Sequence, residues 1–459
     1  MPATLGPALD RRAVPGSRTL RPVPARSNEP TWRNWAGTQH ATPAVIVSPT
    51  TEDELVAVVR RAATDGRVVR VAGSGHSFTG TVVTDGVLVA LDRYDRVLDI
   101  DPVAMTATVQ AGIRLHRLNE ALLARGLALP NLGDIDRQSI AGAVATGTHG
   151  TGLGFHGIAS QVVGLRLVTA DGAVVVADAD HEPEVLHVAR VGLGALGIVS
   201  TVTLAVVPAF HLHAVEGAAR LDDVLDALPD TLARVEHFEC YWVPHTDRVL
   251  TKANDRVIDR GPDRPRWKAV LADEVLANGL FGAACRVGRH WPGFTRRFNR
   301  IIPAVAGDDY VEVSSAVFTS PRRVRFEEME YAVPLAAGPD AVRAVRRFVE
   351  GHDRPISFPV EIRFLGGDDI PLSMAHGGPR CFVAVHTYRG APDPVYFREV
   401  EAVLRDHDGR PHWGKVHTRT AADLAPAYPE WDRFARLRHR LDPDGRFLND
   451  YTRRVLVNS

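Results

Sequence analysis

The sequence predicts an α+β chain of two lobes, closed by a C-terminal stretch that returns from the second lobe to the first. Three observations carry that reading. The chain has 459 residues, and single hydrophobic cores rarely grow past about 250–300 residues. The first 211 residues mix one short βαβ unit with hairpin signals. Near residue 211 the texture changes to Arg-rich helical stretches, more aromatics and strands such as 381–385. The boundaries expected are a loose arm over 1–30, a first lobe over 31–211, and a second α/β lobe over 212–459 whose segment 409–459 folds back.

The elements follow in order. Ala44-Val45-Ile46-Val47 reads as a strand, and Thr51-Glu52-Asp53-Glu54 as a capping box. Leu55, Val56, Val59 and Ala62 then recur at helical spacing until Gly66. Residues 68–72 give a second strand, and 87–91 and 106–110 two more. Leu115, Leu118 and Leu122 mark a helix closed by Gly126. Residues 162–169 run through the turn Ala170-Asp171-Gly172 into 173–176, a hairpin with suitable turn chemistry. Residues 198–204 alternate as a half-buried strand, with Pro208 just beyond.

Bulk composition excludes several function classes. The 54 basic residues against 55 acidic ones give no electrostatic case for nucleic acid or an anionic membrane. Cys240, Cys285 and Cys381 are isolated and odd in number, so neither a disulfide framework nor a CxxC site is expected; a reducing cytoplasm suits them. Residues 1–30 lack an apolar run after Arg11-Arg12 and read as an arm, not a signal. No window approaches about eighteen consecutive apolar residues, so no membrane span is expected.

Four segments carry candidate chemistry. In Ala72-Gly73-Ser74-Gly75-His76-Ser77, small residues after a β-branched run can turn the backbone and gather N–H groups in one concavity that binds pyrophosphate. The plain alternative is a glycine turn with an exposed histidine. Residues 131–152 crowd Gly142, Ala143, Ala145, Gly147, Gly150 and Gly152 together, which lets backbone pass close to a large flat ligand. A surface loop is the alternative, opposed by Ile140 and Val144 at i, i+4. His149 taken alone is a candidate base. On a strand over 359–364, with one buried face, Glu361 and Arg363 project to the same side. They suit a polyol's hydroxyls, or else form a surface ion pair worth at most about 1 kcal/mol. Last, His412-Trp413-Gly414-Lys415 follows a Gly-Arg-Pro turn, and its lysine is either a site cation or simply solvated.

A fifth segment misleads. Gly192-Leu193-Gly194-Ala195-Leu196-Gly197 matches the GxGxxG dinucleotide fingerprint letter for letter. That fingerprint needs a strand before it and a helix after it. Here a helical pattern (184–190) precedes and a strand follows, so a tight helix-to-strand connection is expected instead.

Taken in this order, the segments resemble flavoproteins of the vanillyl-alcohol-oxidase (PCMH) type, in the branch of aldonolactone and alditol oxidases. Residues 326–334 and 441–449 add to the likeness, which runs from about residue 31 and is weak over 212–320. The resemblance implies an FAD-binding first lobe and a substrate lobe. It puts the pyrophosphate on Ala72, Gly73, Ser74, Gly75, His76 and Ser77, and bonds His76 covalently to the 8α-methyl of FAD. Further cofactor contacts are implied at Ile140, Ala143, Gly147, Thr148, His149 and Gly150, at Ile198 through its backbone, and at His412. Glu361 and Arg363 would hold and polarise the reacting hydroxyl, and Lys415 would stabilise reduced flavin. The reaction implied is hydride transfer from a sugar-derived alcohol to flavin N5, most simply from an aldono-1,4-lactone, with O₂ or another acceptor. An open-chain alditol as substrate stays open, as do an NAD-dependent dehydrogenase built on 192–197 and a non-catalytic flavin binder.

Overall fold

The computed structural model describes residues 30–258, 264–269, 276, 278–304 and 307–458. Apart from Pro30, the expected N-terminal arm lies outside the described residues.

Strands preceding residue 211 build two main sheets. Val45–Val47 and Val69–Ala72 both run parallel to Val87–Ala90, which lies between them. The helix Glu52–Thr64 connects the outer pair and buries Leu55, Val59 and Ala62. Its cap differs from the expected box. The Thr51 side chain accepts from Glu54 N–H at 3.2 Å, but the Glu54 carboxylate reaches past Thr51 to accept from Thr50 N–H at 2.6 Å. The second sheet is antiparallel, in the order Val174–Ala177, Val162–Val168, Ile198–Ala205, Thr106–Gln110, Val97–Asp101. Gly172, at φ +79°, closes the expected hairpin. The glycines 192–197 do lie between a helix, Pro183–Ala189, and the strand Ile198–Ala205.

From His211 onward one antiparallel sheet of eight strands dominates. Its order is Asp308–Val313, His211–Arg220, Arg248–Val257, His237–Trp242, Val360–Leu365, Arg380–Tyr388, Phe326–Pro334, Arg410–Pro411. Side-chain alternation divides it into two unlike faces. Phe238, Cys240, Val360, Ile362, Phe364, Val383, Val385, Met329 and Tyr331 face the helices Gly338–Gly351 and Pro394–Arg405 and form a continuous core. Each such fully buried side chain contributes about 1.5–3 kcal/mol. Residues of the other parity, Glu239, Tyr241, Glu361, Arg363, His386, Glu328 and Glu330, face the opposite way, toward the first lobe. The strand Val360–Leu365 is therefore buried on both faces, not on one as its alternation suggests, because it is central in the sheet.

The tail binds the two parts together. Arg410–Pro411 pairs with the edge of Phe326–Pro334, where a proline is tolerated. The chain then crosses: Phe78 N–H donates to Gly414 O at 2.7 Å and Val69 N–H to Arg446 O at 2.9 Å. Phe447 enters the core of the parallel sheet. Among the described residues no helix is long and apolar enough to cross a membrane, and the three cysteines are free and buried.

Candidate active site

A large cavity opens between the two sheets of the first lobe and holds 1080 Å³ of space counted out to its mouth. The strand Val69–Ala72 ends at its rim and turns through Gly73-Ser74-Gly75. Gly75 adopts φ +68°, which favours glycine. A Cβ on Gly73 would lie 2.0 Å from Ser139 Oγ, so only glycine lets the loop approach the helix Ile140–Thr146. Among the described residues, no protein acceptor takes the N–H groups of Ser74, Gly75, His76 and Ser77. Four unpaired amides on one loop form an anion-binding concavity. Arg114 donates to Ser74 Oγ at 3.1 Å and adds positive charge there.

His76 lines this cavity and stacks on Trp35 at 5.7 Å between ring centroids. Burial, with Arg114 and Lys415 nearby, pushes its imidazole down to about 4. The ring is neutral at physiological pH, so it offers a nucleophilic nitrogen, and no described residue hydrogen-bonds to it.

The opposite wall comes from Gly192, Leu193, Gly194, Leu196 and Gly197. Arg70 holds this wall in place. Its guanidinium donates to Thr81 O at 2.7 Å, Leu193 O at 2.9 Å and Gly194 O at 3.0 Å, and also to Phe447 O. One buried cation thus joins the loop after His76, the 192–197 connection and the tail. Sequence reasoning missed it; the signal was an arginine inside a β-branched strand, where an unpaired charge cannot stay.

The predicted cofactor residues do not all line that cavity. Gly73–Ser77 do, as do Ala141, Gly142, Val144 and Ala145 of the helix, whereas Ile140, Ala143 and Ile198 are fully buried in the apolar core and Ala72 is nearly so. Gly147 and His149 border a separate, smaller space of 240 Å³. His149 Nε2 lies 3.1 Å from Glu330 Oε1, its Nδ1 lies 2.9 Å from Gly150 O, and its ring packs 3.8 Å from Phe382. Thr148 accepts from Gln138 at 3.1 Å. His412 Nδ1 accepts from Gly414 N–H at 3.0 Å.

The polar face of the eight-stranded sheet carries a buried charge cluster. Glu361 and Arg363 are each 6 % exposed and form an ion pair through Glu361 Oε1 and Arg363 Nη2. Arg363 Nε donates to Glu239 at 2.9 Å, and its Nη2 lies 3.8 Å from Asp134. Arg322 in turn donates to Asp134 at 3.0 Å. Tyr241 donates to Glu361 at 3.3 Å. Lys415 pairs with Glu328, whose other oxygen lies 3.7 Å from His386. Burial, with Asp134, Glu239 and Glu328 close by, raises the Glu361 carboxyl to about 8, since one shared arginine cannot compensate three further carboxylates. Asp134 is held well below the usual range: burial opposes this, but Arg363, Arg322 and Lys415 prevail. Lys415 stays firmly protonated beside Glu328 and Glu330, against its own burial.

Asp134, Glu239, Arg322, Glu328 and Glu330 belong to this site although sequence reasoning assigned them nothing. Glu328 and Glu330 left a trace, two carboxylates at period two in a strand that also carries Glu327. The others are brought in by strand register and by contacts between lobes. The oxygens of the His149–Glu330–His412 and Glu328–Glu361–His386 groupings are already engaged, by His149, Lys415 and Arg363.

Two family descriptions match the chain: "FAD binding domain" over residues 43–178 and "D-arabinono-1,4-lactone oxidase" over residues 202–455. The L-gulono-1,4-lactone dehydrogenase of Mycobacterium tuberculosis is 44% identical over 93% of this chain and 99% of its own. The chain belongs to the D-arabinono-1,4-lactone oxidase family. The L-gulonolactone oxidase of Bos taurus is 32% identical over 92% of this chain and 98% of its own length. The solved cholesterol oxidase of B. sterolicum superposes with a TM-score of 0.79 at 18% identity, covering 95% of this chain and all of that one. That likeness concerns the fold.

The member described here is thus an FAD-dependent oxidoreductase, and its own residues fit the cofactor. The unpaired amides of 74–77 suit a pyrophosphate, and the missing Cβ at Gly73 lets the loop lie close against Ser139. Glycines 192, 194 and 197 wall that same cavity.

Proposed function

We propose that the chain oxidises the alcohol of an aldono-1,4-lactone of the gulonolactone or arabinonolactone type, with residues 31–211 holding FAD and 212–459 the substrate. The observation that supports this best is the buried Glu361–Arg363 pair, presented by the central strand toward the cofactor lobe. FAD supplies the two-electron acceptor for the carbinol hydride. The chain's residues do the rest. Glu361 in its ionised form takes the hydroxyl proton; with its carboxyl near 8, that form becomes the major one only as pH rises toward 8. Arg363 hydrogen-bonds the same oxygen and steadies the negative charge that develops there. Glu239 and the Asp134–Arg322 pair fix the guanidinium in direction. Lys415 holds a permanent positive charge near His76 and favours an anionic reduced cofactor.

We further propose that His76 bonds covalently to the cofactor, since its neutral imidazole faces the cavity with no competing partner. Acid precipitation then leaves the yellow colour in the pellet; a colourless pellet overturns this. The remaining cofactor contacts proposed are Ala72–Ser77 and the backbone of the segment from Ile140 to Gly150, with Ile198 and His412 as supports behind them. The reoxidant is O₂ or another electron acceptor, and the three unpaired cysteines fit a cytoplasmic setting. Turnover of L-gulono-1,4-lactone with an artificial dye, set against xylitol, tests the substrate class. Preference for the open-chain alditol would overturn the lactone reading.

A further inference from the structure

The near balance of charge over the whole chain conceals a local separation. From residue 276 to 307 the sequence has five arginines and no aspartate or glutamate. The described residues of this stretch include two short helices, Phe281–His290 and Pro292–Asn299. Their inner sides are well anchored. Asn299 donates to Pro244 O and Ile356 O, each at 3.0 Å. Phe281 packs edge-on against Phe358 at 4.9 Å. Phe358 continues through Phe326 to Trp35, which stacks on His76. These helices are therefore packed firmly onto the second lobe, away from the residues that line the cavity.

Their outer side is unusual. Leu280 is 52%, Val287 44%, Trp291 62% and Ile301 58% exposed. Leu280, Val287 and Trp291 recur at i, i+7 and i+11, which sets them on one stripe. Arg286 is exposed beside that stripe, and Arg296, Arg297 and Arg300 are exposed on the following helix and just past its end. Clustered apolar side chains in water mark a contact surface, and the arginines specify its sign. A second copy would bring the same five arginines against these. Residues 1–29 have five arginines against Asp10 and Glu29, so they would be repelled likewise.

We propose that this face docks on the headgroup region of an anionic phospholipid membrane. Trp291 would sit at headgroup level, Leu280, Val287 and Ile301 would enter the acyl boundary, and the arginines would meet lipid phosphates. The contact is peripheral and is lost in high salt.

Co-sedimentation of the holoenzyme with phosphatidylglycerol–phosphatidylcholine vesicles, and with phosphatidylcholine alone, tests it. The wild type should pellet with the anionic vesicles only, and salt should release it. Arg296→Glu combined with Arg297→Glu and Arg300→Glu should lower binding about tenfold or more, with unchanged lactone turnover on a soluble dye. Arg297→Glu alone and Val287→Ser, each checked for normal flavin content, should weaken binding in smaller steps. Equal pelleting of wild type and triple variant, equal binding to neutral vesicles, or no binding at low salt would each overturn the proposal. So would self-association of the wild type in place of vesicle binding.

Discussion

Arg363 faces Glu239 directly across the sheet, in register on the neighbouring strand, and its Nε donates to the Glu239 carboxylate at 2.9 Å. The guanidinium is thereby locked in plane while its Nη2 engages Glu361. A lysine cannot reproduce that fork.

Arg363→Ala should slow flavin reduction by substrate about 10²–10³-fold, the scale of a lost oxyanion donor, with flavin content near wild type. It leaves buried carboxylates uncompensated, so denaturant unfolding should show a loss of about 3–5 kcal/mol. Rapid-mixing rates within about threefold of wild type would mean that the pair is only structural.

Glu361 gives a pH signature. Its folded carboxyl titrates near 8 against an ordinary value of 4.5, so between these values the folded state holds a proton that the unfolded state has released. Stability therefore falls as pH rises through this window, and the penalty is complete above about 8. Glu361→Gln should remove that slope, and should be more stable than wild type at pH 8–9 but not at pH 5, relative to the window that linkage sets. In the wild type, reduction by substrate should speed up as pH approaches 8; a flat profile would deny Glu361 the base role.

The sequence made some of this legible and hid the rest. Glu361 and Arg363 were readable because period two puts both on one strand face, and 192–197 because a helix before glycines and a strand after them cannot bind a pyrophosphate in the Rossmann manner. Glu239 was hidden: its role depends on the register between two strands more than a hundred residues apart. Asp134 meets Arg363 and Arg322 only once the lobes close on each other. His149 reads as a contact along the cofactor, yet it is held by Glu330 beside a different, smaller space. The overall charge balance concealed the basic helices of 276–307, because composition carries no position.

Gly73→Ala tests the cradle. The added Cβ would fall 2.0 Å from Ser139 Oγ, so the variant should purify with little flavin. Adding Ser139→Ala removes the clashing oxygen, leaving Ser139 Cβ at 3.2 Å as the nearest contact, and should restore part of the yellow colour. Full flavin content in Gly73→Ala alone would refute the close approach.

Arg70→Met strips the donor from four carbonyls, those of Thr81, Leu193, Gly194 and Phe447. Leaving them unpaired should cost about 3 kcal/mol or more and lower Tm. The cavity wall and the tail loosen together, so proteolysis after residue 445 should rise in step with the thermal loss. An unchanged Tm would show that the tail is held by other contacts.

The central claim is that bound FAD takes electrons from a sugar lactone held by Glu361 and Arg363. Its most direct test is the visible flavin spectrum of the purified protein under anaerobic conditions, before and after addition of L-gulono-1,4-lactone. Rapid bleaching by the lactone is expected, with recovery on admitting O₂ or a dye and no response to NAD. A yellow protein whose spectrum is unchanged by aldonolactones would contradict it.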